Sequence, residues 1–281
     1  MKESVSRRDA IKGLAAMAAL PGLSAAREQH ATLDRIGLAV YTVRAPAARD
    51  FERTLAAVAA IGYRDVDMYI YEGRRPPKET RAILDRVGLA CRSARVATPA
   101  LYRGWDRSLD ATATLGARWI TLANVPWEER TTWRDWEELF AVFRRTGEEA
   151  NRRGASFCYH NHEFELQPLE GKIPLDEMLS ATTTEQLRLQ MDVYWMTKGG
   201  RDPVNEIVRL GNRVASLHLK DMDATPAGGI TTVGRGTLDF AALIRAATTA
   251  GVRDFFVEED NPRDPLAAAR EAFSHLASLR L

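Results

Sequence analysis

From about residue 34 onward, short apolar runs alternate with longer amphipathic ones. The short runs are "RIGLAVYTV", "YRDVDMYIY", "GLACRSARV", "ARWITLANV", "ASFCYHNHEFEL", "LRLQMDVYW", "VASLHLKDMD" and "DFFVEED". Between them, segments such as "DFERTLAAVAAIG", "PPKETRAILDRVG", "WRDWEELFAVFRRTGEEANRRG" and "DPVNEIVRLG" carry apolar residues at helical spacing. Gly62, Gly88, Gly116, Gly154 and Gly251 stand just before the next strand, where a helix C-terminus favours glycine. Strand alternating with helix predicts parallel strands joined by crossovers. Eight such units in about 250 residues is the size of a (β/α)8 TIM barrel. No Gly-rich phosphate turn follows the first strand, which argues against an open doubly wound sheet. No Pro/Gly/Ser-rich linker divides the chain, so residues 34–281 read as one barrel domain. "DATPAGGITTVGRGTLDF" reads as a long loop after strand seven, where barrels place function.

The first residues do not fit this alternation. "SVSRRDAIKGLAAMAALPGLSAA" has two arginines, a short apolar run and small residues ending near Ala25 and Ala26. That is the layout of an export signal, with an apolar run too short to span a bilayer. Ser6-Arg7-Arg8, followed by Ile11 and Lys12, resembles the twin-arginine signal, which implies export by the Tat translocase, a signal peptide at 1–26 and a periplasmic mature protein without a membrane anchor. Composition is that of an ordinary globular chain, 45% hydrophobic and 27% charged, with a formal net charge of +1. Removing residues 1–26 takes away Lys2, Arg7, Arg8 and Lys12 but also Glu3 and Asp9, so the mature charge falls from +1 to −1. Nucleic acid is therefore not an expected partner. Cys91 and Cys158 fall in strands far apart in order, and buried free thiols are expected rather than a bridge.

In a barrel the reactive groups come from the C-terminal ends of strands and the loops that follow. Strand five ends in His160-Asn161-His162, strand six in Asp192, strand seven in His218 and strand eight in Glu258. Strand alternation puts His160 and His162 on one face, and likewise Asp192 with Tyr194, His218 with Lys220 and Glu258 with Asp260. Singly, each has a structural use: Asp192 as a helix cap, His218 as a core histidine, Glu258 as an arginine's partner. Together, four strand ends offering imidazole and carboxylate without thiolate suit a divalent metal, Mn²⁺, Zn²⁺, Co²⁺ or Mg²⁺.

"YHNHEFEL", "MDVYW", "LHLKDMD", "GRGTLDF" and "FFVEED" resemble the sugar phosphate isomerase/epimerase family, with its xylose-isomerase-like barrel. Inosose dehydratases and keto-sugar epimerases belong to it. The resemblance implies a divalent ion held at four strand ends, three of them Asp192, His218 and Glu258. The fourth is usually a glutamate within Glu-Asn-His, and His160-Asn161-His162 stands there. His160 then replaces that glutamate as ligand and His162 meets the substrate, or their roles are reversed. Two inward positions lie about 6–7 Å apart along a strand, too far for equal service to one ion. Relatives pair two carboxylates across an enediolate, and this chain lacks the first. Glu258, His162, Glu165 and Lys220 remain as acid/base candidates, a set that suits β-elimination as well as epimerisation. Arg95 replaces a histidine at the end of strand three, either gripping substrate or forming a rim salt bridge.

The implied chemistry is enolisation of a carbohydrate in which an ion polarises a carbonyl and a nearby base removes the α-proton. Tyr41 and Trp195, with Arg95 and Asp260, are expected to bind substrate; Trp127 is a third aromatic that could wall a sugar, with packing its expected use. Export points to a free sugar, a keto-sugar or a glycoside rather than a sugar phosphate. Apurinic endonucleases share the barrel but need more zinc ligands and a basic groove, whereas only His160, His162 and His218 of five histidines lie at strand ends. A periplasmic sugar-binding protein without turnover is the reading from another class.

Overall fold

In the computed structural model, which describes Leu33, residues 35–70 and residues 75–281, all eight apolar runs contribute strands to one closed barrel. They are β1 (Gly37–Ala39), β2 (Asp65–Tyr69), β3 (Ala90–Val96), β4 (Trp119–Leu122), β5 (Ser156–His160), β6 (Arg188–Asp192) and β7 (Val214–Leu219). A two-stranded hairpin, β8 (Asp221–Met222) and β9 (Ile230–Thr231), precedes the last barrel strand, β10 (Phe255–Val257). Barrel neighbours pair in parallel, and β1 closes on β10. The twin-arginine segment lies outside the described residues. Among the described residues no helix is long and apolar enough to cross a membrane.

The strands separate two environments. Phe157 and Tyr159 of β5 face outward and meet Phe143 of the helix Trp133–Arg152, with ring centroids 5.8 Å apart in both pairs. That helix starts on a reciprocal cap between Thr132 and Asp135 and buries Trp136, Leu139 and Phe140 on the same side. Its internal Gly147 is forced by packing, because a Cβ there would stand 1.6 Å from the Gln186 carbonyl oxygen. The predicted helix-ending glycines all have positive φ: Gly62 132°, Gly88 75°, Gly116 74°, Gly154 80° and Gly251 92°. Cys91 and Cys158 are both free and buried.

Inside the barrel the lower layers are filled and the top layer is polar. Phe256 crosses the interior against Gly37, where a Cβ would come within 2.5 Å of the phenylalanine ring. Above it Gln190 donates to Ser93 (3.2 Å), whose hydroxyl meets that of Thr121 (3.0 Å). The glycine-rich stretch after β7 is indeed a loop, organised by the buried Asp221 carboxylate. It accepts from the backbone N–H of Met222 (2.8 Å), Gly234 (2.9 Å), Gly236 (2.9 Å) and Leu238 (3.2 Å). Contrary to expectation, this loop lends no residue to the cavity at the barrel mouth.

Candidate active site

The top layer gathers carboxylates, imidazoles and two cations. One donor atom each from His160, Asp192, His218 and Glu258 lies within 4.8 Å of the other three, and all four residues are buried. Every one of them has one polar atom anchored and another turned toward the group. His160 Nδ1 meets Gln190 Oε1 at 3.2 Å, leaving Nε2 facing Asp192 Oδ2 at 3.9 Å. Asp192 ends β6 and its Oδ1 caps the next helix by accepting from the Trp195 N–H at 3.0 Å. Its Oδ2 is buried without a hydrogen bond. Glu258 Oε1 accepts from Arg95 at 3.1 Å, while Oε2 approaches His218 Nδ1 at 2.9 Å. His218 Nε2 stands 3.1 Å from Asp67 Oδ2, an ion-pair distance without hydrogen-bond alignment. The structural uses foreseen for Asp192 and Glu258 are real, and each occupies only one oxygen.

Electrostatics follow from this crowding. Burial, with His218 and Arg95 nearby, pushes the His160 imidazole well below its ordinary value, so it is neutral with a lone pair to give. Burial raises the Asp192 carboxyl to about 6 against the pull of Lys220. Burial would lower His218, but Glu258 and Asp67 outweigh it and lift the imidazole to about 9. Burial acts against Glu258 too, yet Lys220, His218 and Arg95 hold it well below the carboxylate range. Lys220 Nζ lies 3.2 Å from Asp192 Oδ2, 3.2 Å from Glu258 Oε2 and 2.8 Å from Asp260 Oδ1. Asp67, Asp192, Glu258 and Asp260 thus face Arg95, Lys220 and a protonated His218, one negative charge in excess. A divalent cation replacing the His218 proton would bring the cluster to neutrality.

Two nitrogen and two oxygen donors suit a first-row divalent ion. Donors at about 2.0–2.2 Å from one ion can be no farther apart than about 4.4 Å, so the group needs only a slight contraction to serve as a shared site. Asp192 Oδ2, which has the Lys220 ammonium 3.2 Å away but accepts no hydrogen bond, fits the same role. His162 is not in the group. It lines the cavity above, its Nδ1 buried without a partner, its ring 5.0 Å from that of His160. Burial, Lys220 and Arg95 push it down to about 3, so it is neutral.

The cavity measures about 160 Å³ and is lined by Tyr41, Tyr69, Arg95, Ala123, Asn124, His160, His162, Lys220, Glu258 and Asp260. Several expected residues sit elsewhere or in other roles. Glu165 does not line it: the carboxyl accepts from the Tyr159 hydroxyl at 2.5 Å and the His162 backbone N–H at 2.8 Å, and burial raises it to about 8. Arg95 is on the floor rather than the rim, paired with Glu258 and 3.5 Å from Asp67. Trp195 stands behind the wall, its ring 5.5 Å from His162 and 5.2 Å from Lys220 Nζ. Tyr194 does not share a strand face with Asp192, because the helix Val193–Lys198 begins at once and its hydroxyl donates to the Gly228 carbonyl at 2.9 Å. Trp127, expected to pack, is 64% exposed. Asp67, Gln190, Tyr69 and Asn124 were not singled out from sequence. For Asp67 the signal existed: it is an acidic residue two positions before the end of an apolar strand.

A family model for xylose isomerase-like TIM barrels matches residues 55–279. The chain belongs to this family. Over 151 residues it is 27% identical to the inosose dehydratase of Geobacillus thermodenitrificans (strain NG80-2), covering 48% of this chain and about half (49%) of that relative. The fold is shared with a sugar phosphate isomerase/epimerase from Parabacteroides distasonis ATCC 8503: TM-score 0.76, 21% identity, 92% of this chain and 99% of that one. It is also shared with the IOLI protein, solved with a bound zinc atom: TM-score 0.68, 13% identity, 88% and 99%. Members of the family are thus named as isomerases, epimerases and dehydratases.

Proposed function

We propose that the chain is a divalent-metal-dependent enzyme of the sugar isomerase and epimerase type. It would remove the proton α to a carbonyl of a non-phosphorylated sugar, keto-sugar or keto-glycoside and pass through an enediolate. The observation that carries this reading is the convergence of His160, Asp192, His218 and Glu258 at the floor of a cavity of about 160 Å³. Ligand pockets for drug-sized molecules run to roughly 300–1,000 Å³, so this one suits a single small ring. A divalent ion held by the four would supply Lewis-acid polarisation of the carbonyl and stabilise developing negative charge. The zinc atom of the IOLI protein supports such a centre.

The chain's own groups divide the proton work. His162 lines the cavity with a partnerless Nδ1, the placement that a base for the α-proton needs, and the negative charge of an enediolate beside it would offset the low basicity that burial imposes. Lys220, ringed by Asp192, Glu258 and Asp260, keeps its proton and acts as donor rather than base. The same ring disfavours phosphate, since an added anion would meet Glu258 and Asp260 while Arg95 and Lys220 are already paired. Because acceptor and donor are different groups, a second reading has specific support. His162 takes the α-proton, the β-carbon–oxygen bond breaks, and the departing oxygen takes its proton from Lys220. That is β-elimination from a 3-keto-glycoside or cyclitol, in keeping with the inosose dehydratase relative.

Metal-loaded protein incubated in D₂O with ketoses and keto-glycosides should exchange the α-hydrogen by NMR, and chelator-treated protein should not. An epimer as product marks the first reading, an unsaturated product the second. Sugar binding without any exchange would leave a non-catalytic binder instead.

A further inference from the structure

Among the described residues four large apolar side chains are exposed: Tyr41 (38%), Tyr102 (52%), Trp127 (64%) and Val208 (70%). The three aromatic ones share an address. Tyr41 follows β1, Tyr102 follows β3 and Trp127 follows β4, all on segments leaving the strand ends at which the cavity opens. All three therefore stand at the end of the barrel where a substrate enters.

Trp127 is also coupled to the cavity by packing. Asn124, three residues before it, lines the cavity with an exposed amide. The Arg130 guanidinium lies 5.3 Å over the Trp127 ring and 3.4 Å over the Phe164 ring, held by donation from its Nε to the Val125 carbonyl at 3.0 Å. Phe164 in turn stacks on His162, centroids 5.5 Å apart and planes at 7°. A series of planar groups thus runs from His162 at the cavity wall to Trp127 on the rim. The indole is 64% exposed with Arg130 set against it, and the neighbouring Glu128 is exposed and able to accept from hydroxyls. The enclosed volume of about 160 Å³ has no room for two rings, so a larger substrate must continue over the rim.

We infer that Trp127, braced by Arg130, is a second sugar subsite, so that the substrate is a glycoside whose reacting ring fills the cavity and whose second ring stacks on the indole. The apolar C–H face of a pyranose matches the indole, and its hydroxyls match Asn124 and Glu128. The inference rests on the carbohydrate reading above.

The test is calorimetry of the metal-loaded full chain and its Trp127→Ala and Trp127→Tyr variants with glucose, cellobiose, maltose, trehalose and 4-nitrophenyl β-glucoside. At 64% exposure Trp127 can be replaced without disturbing the core. Wild type should bind at least one disaccharide more tightly than glucose. Trp127→Ala should lose that advantage, about two- to tenfold if the stacking is worth the roughly 0.5–1.5 kcal/mol of an aromatic pair, with glucose unchanged and Trp127→Tyr in between. A disaccharide advantage that survives Trp127→Ala overturns the subsite. An advantage for the nitrophenyl glucoside alone replaces the second sugar by an aromatic group. Sugars binding no variant and not wild type would mean that the carbohydrate reading itself has failed.

Discussion

A neutral imidazole donates from one nitrogen and accepts at the other, and its neighbours decide which is which. Gln190 and Asp67 make that choice for the two histidines of the cluster. Gln190 Oε1 holds the Nδ1 proton of His160, and once His218 gives up its second proton to an ion the Asp67 carboxylate favours keeping the other on Nε2, which frees Nδ1 toward the group. Carboxylates in this position typically change metal affinity about 10- to 100-fold. Asp67→Asn should therefore weaken metal binding by that order, measured by chelator competition, with thermal unfolding of the metal-free protein little changed. Unaltered affinity would reduce Asp67 to a counter-charge for Arg95. Sequence marked Asp67 as an acidic residue near a strand end but did not separate it from Asp65, which shares its strand and face, and only the fold tells the lower from the upper. His160, Asp192, His218 and Glu258 were legible since each is the first polar residue after an apolar strand body. In Asp192 and Glu258 the structural use occupies one oxygen and leaves the other turned toward the group.

Element boundaries explain most of what was misread. Alternation placed Tyr194 beside Asp192, but the Asp192 side chain starts a helix, and from there the period changes. Glu165, five residues beyond the end of β5, lies in the short turn Phe164–Leu166 and folds back under the loop to hold His162 from behind. Its carboxyl rises to about 8 by burial, above the 4.5 of an exposed glutamate, despite the donors Tyr159 and His162. A raised folded value means a contribution to stability complete below about pH 4.5 and lost as pH climbs through 8. Glu165→Gln should flatten the decline of Tm between pH 5 and 8 while leaving α-hydrogen exchange within a few-fold. A collapse of exchange with unchanged stability would return Glu165 to the chemistry. The glycine-rich loop misled for a similar reason: its glycines serve the Asp221 turn, and a Cβ at Gly236 would stand 2.2 Å from the Met222 carbonyl oxygen.

At the scale of the whole molecule the barrel was legible because its eight apolar runs and helix-ending glycines recur with one period. What no run discloses is convergence, since β2, β3, β5, β6, β7 and β10 meet at the top layer only once the sheet closes. Closure is what collects an excess of carboxylate beside His160 and His218, and the claim that a divalent ion belongs there is the centre of this account. Calorimetric titration of chelator-stripped protein with Mn²⁺, Zn²⁺ and Co²⁺, for wild type, His160→Ala and His162→Ala, tests it most directly. One ion per chain is expected in wild type and in His162→Ala, and none in His160→Ala. An ion that disappears with His162 instead, or a wild-type chain that takes up none, would contradict it.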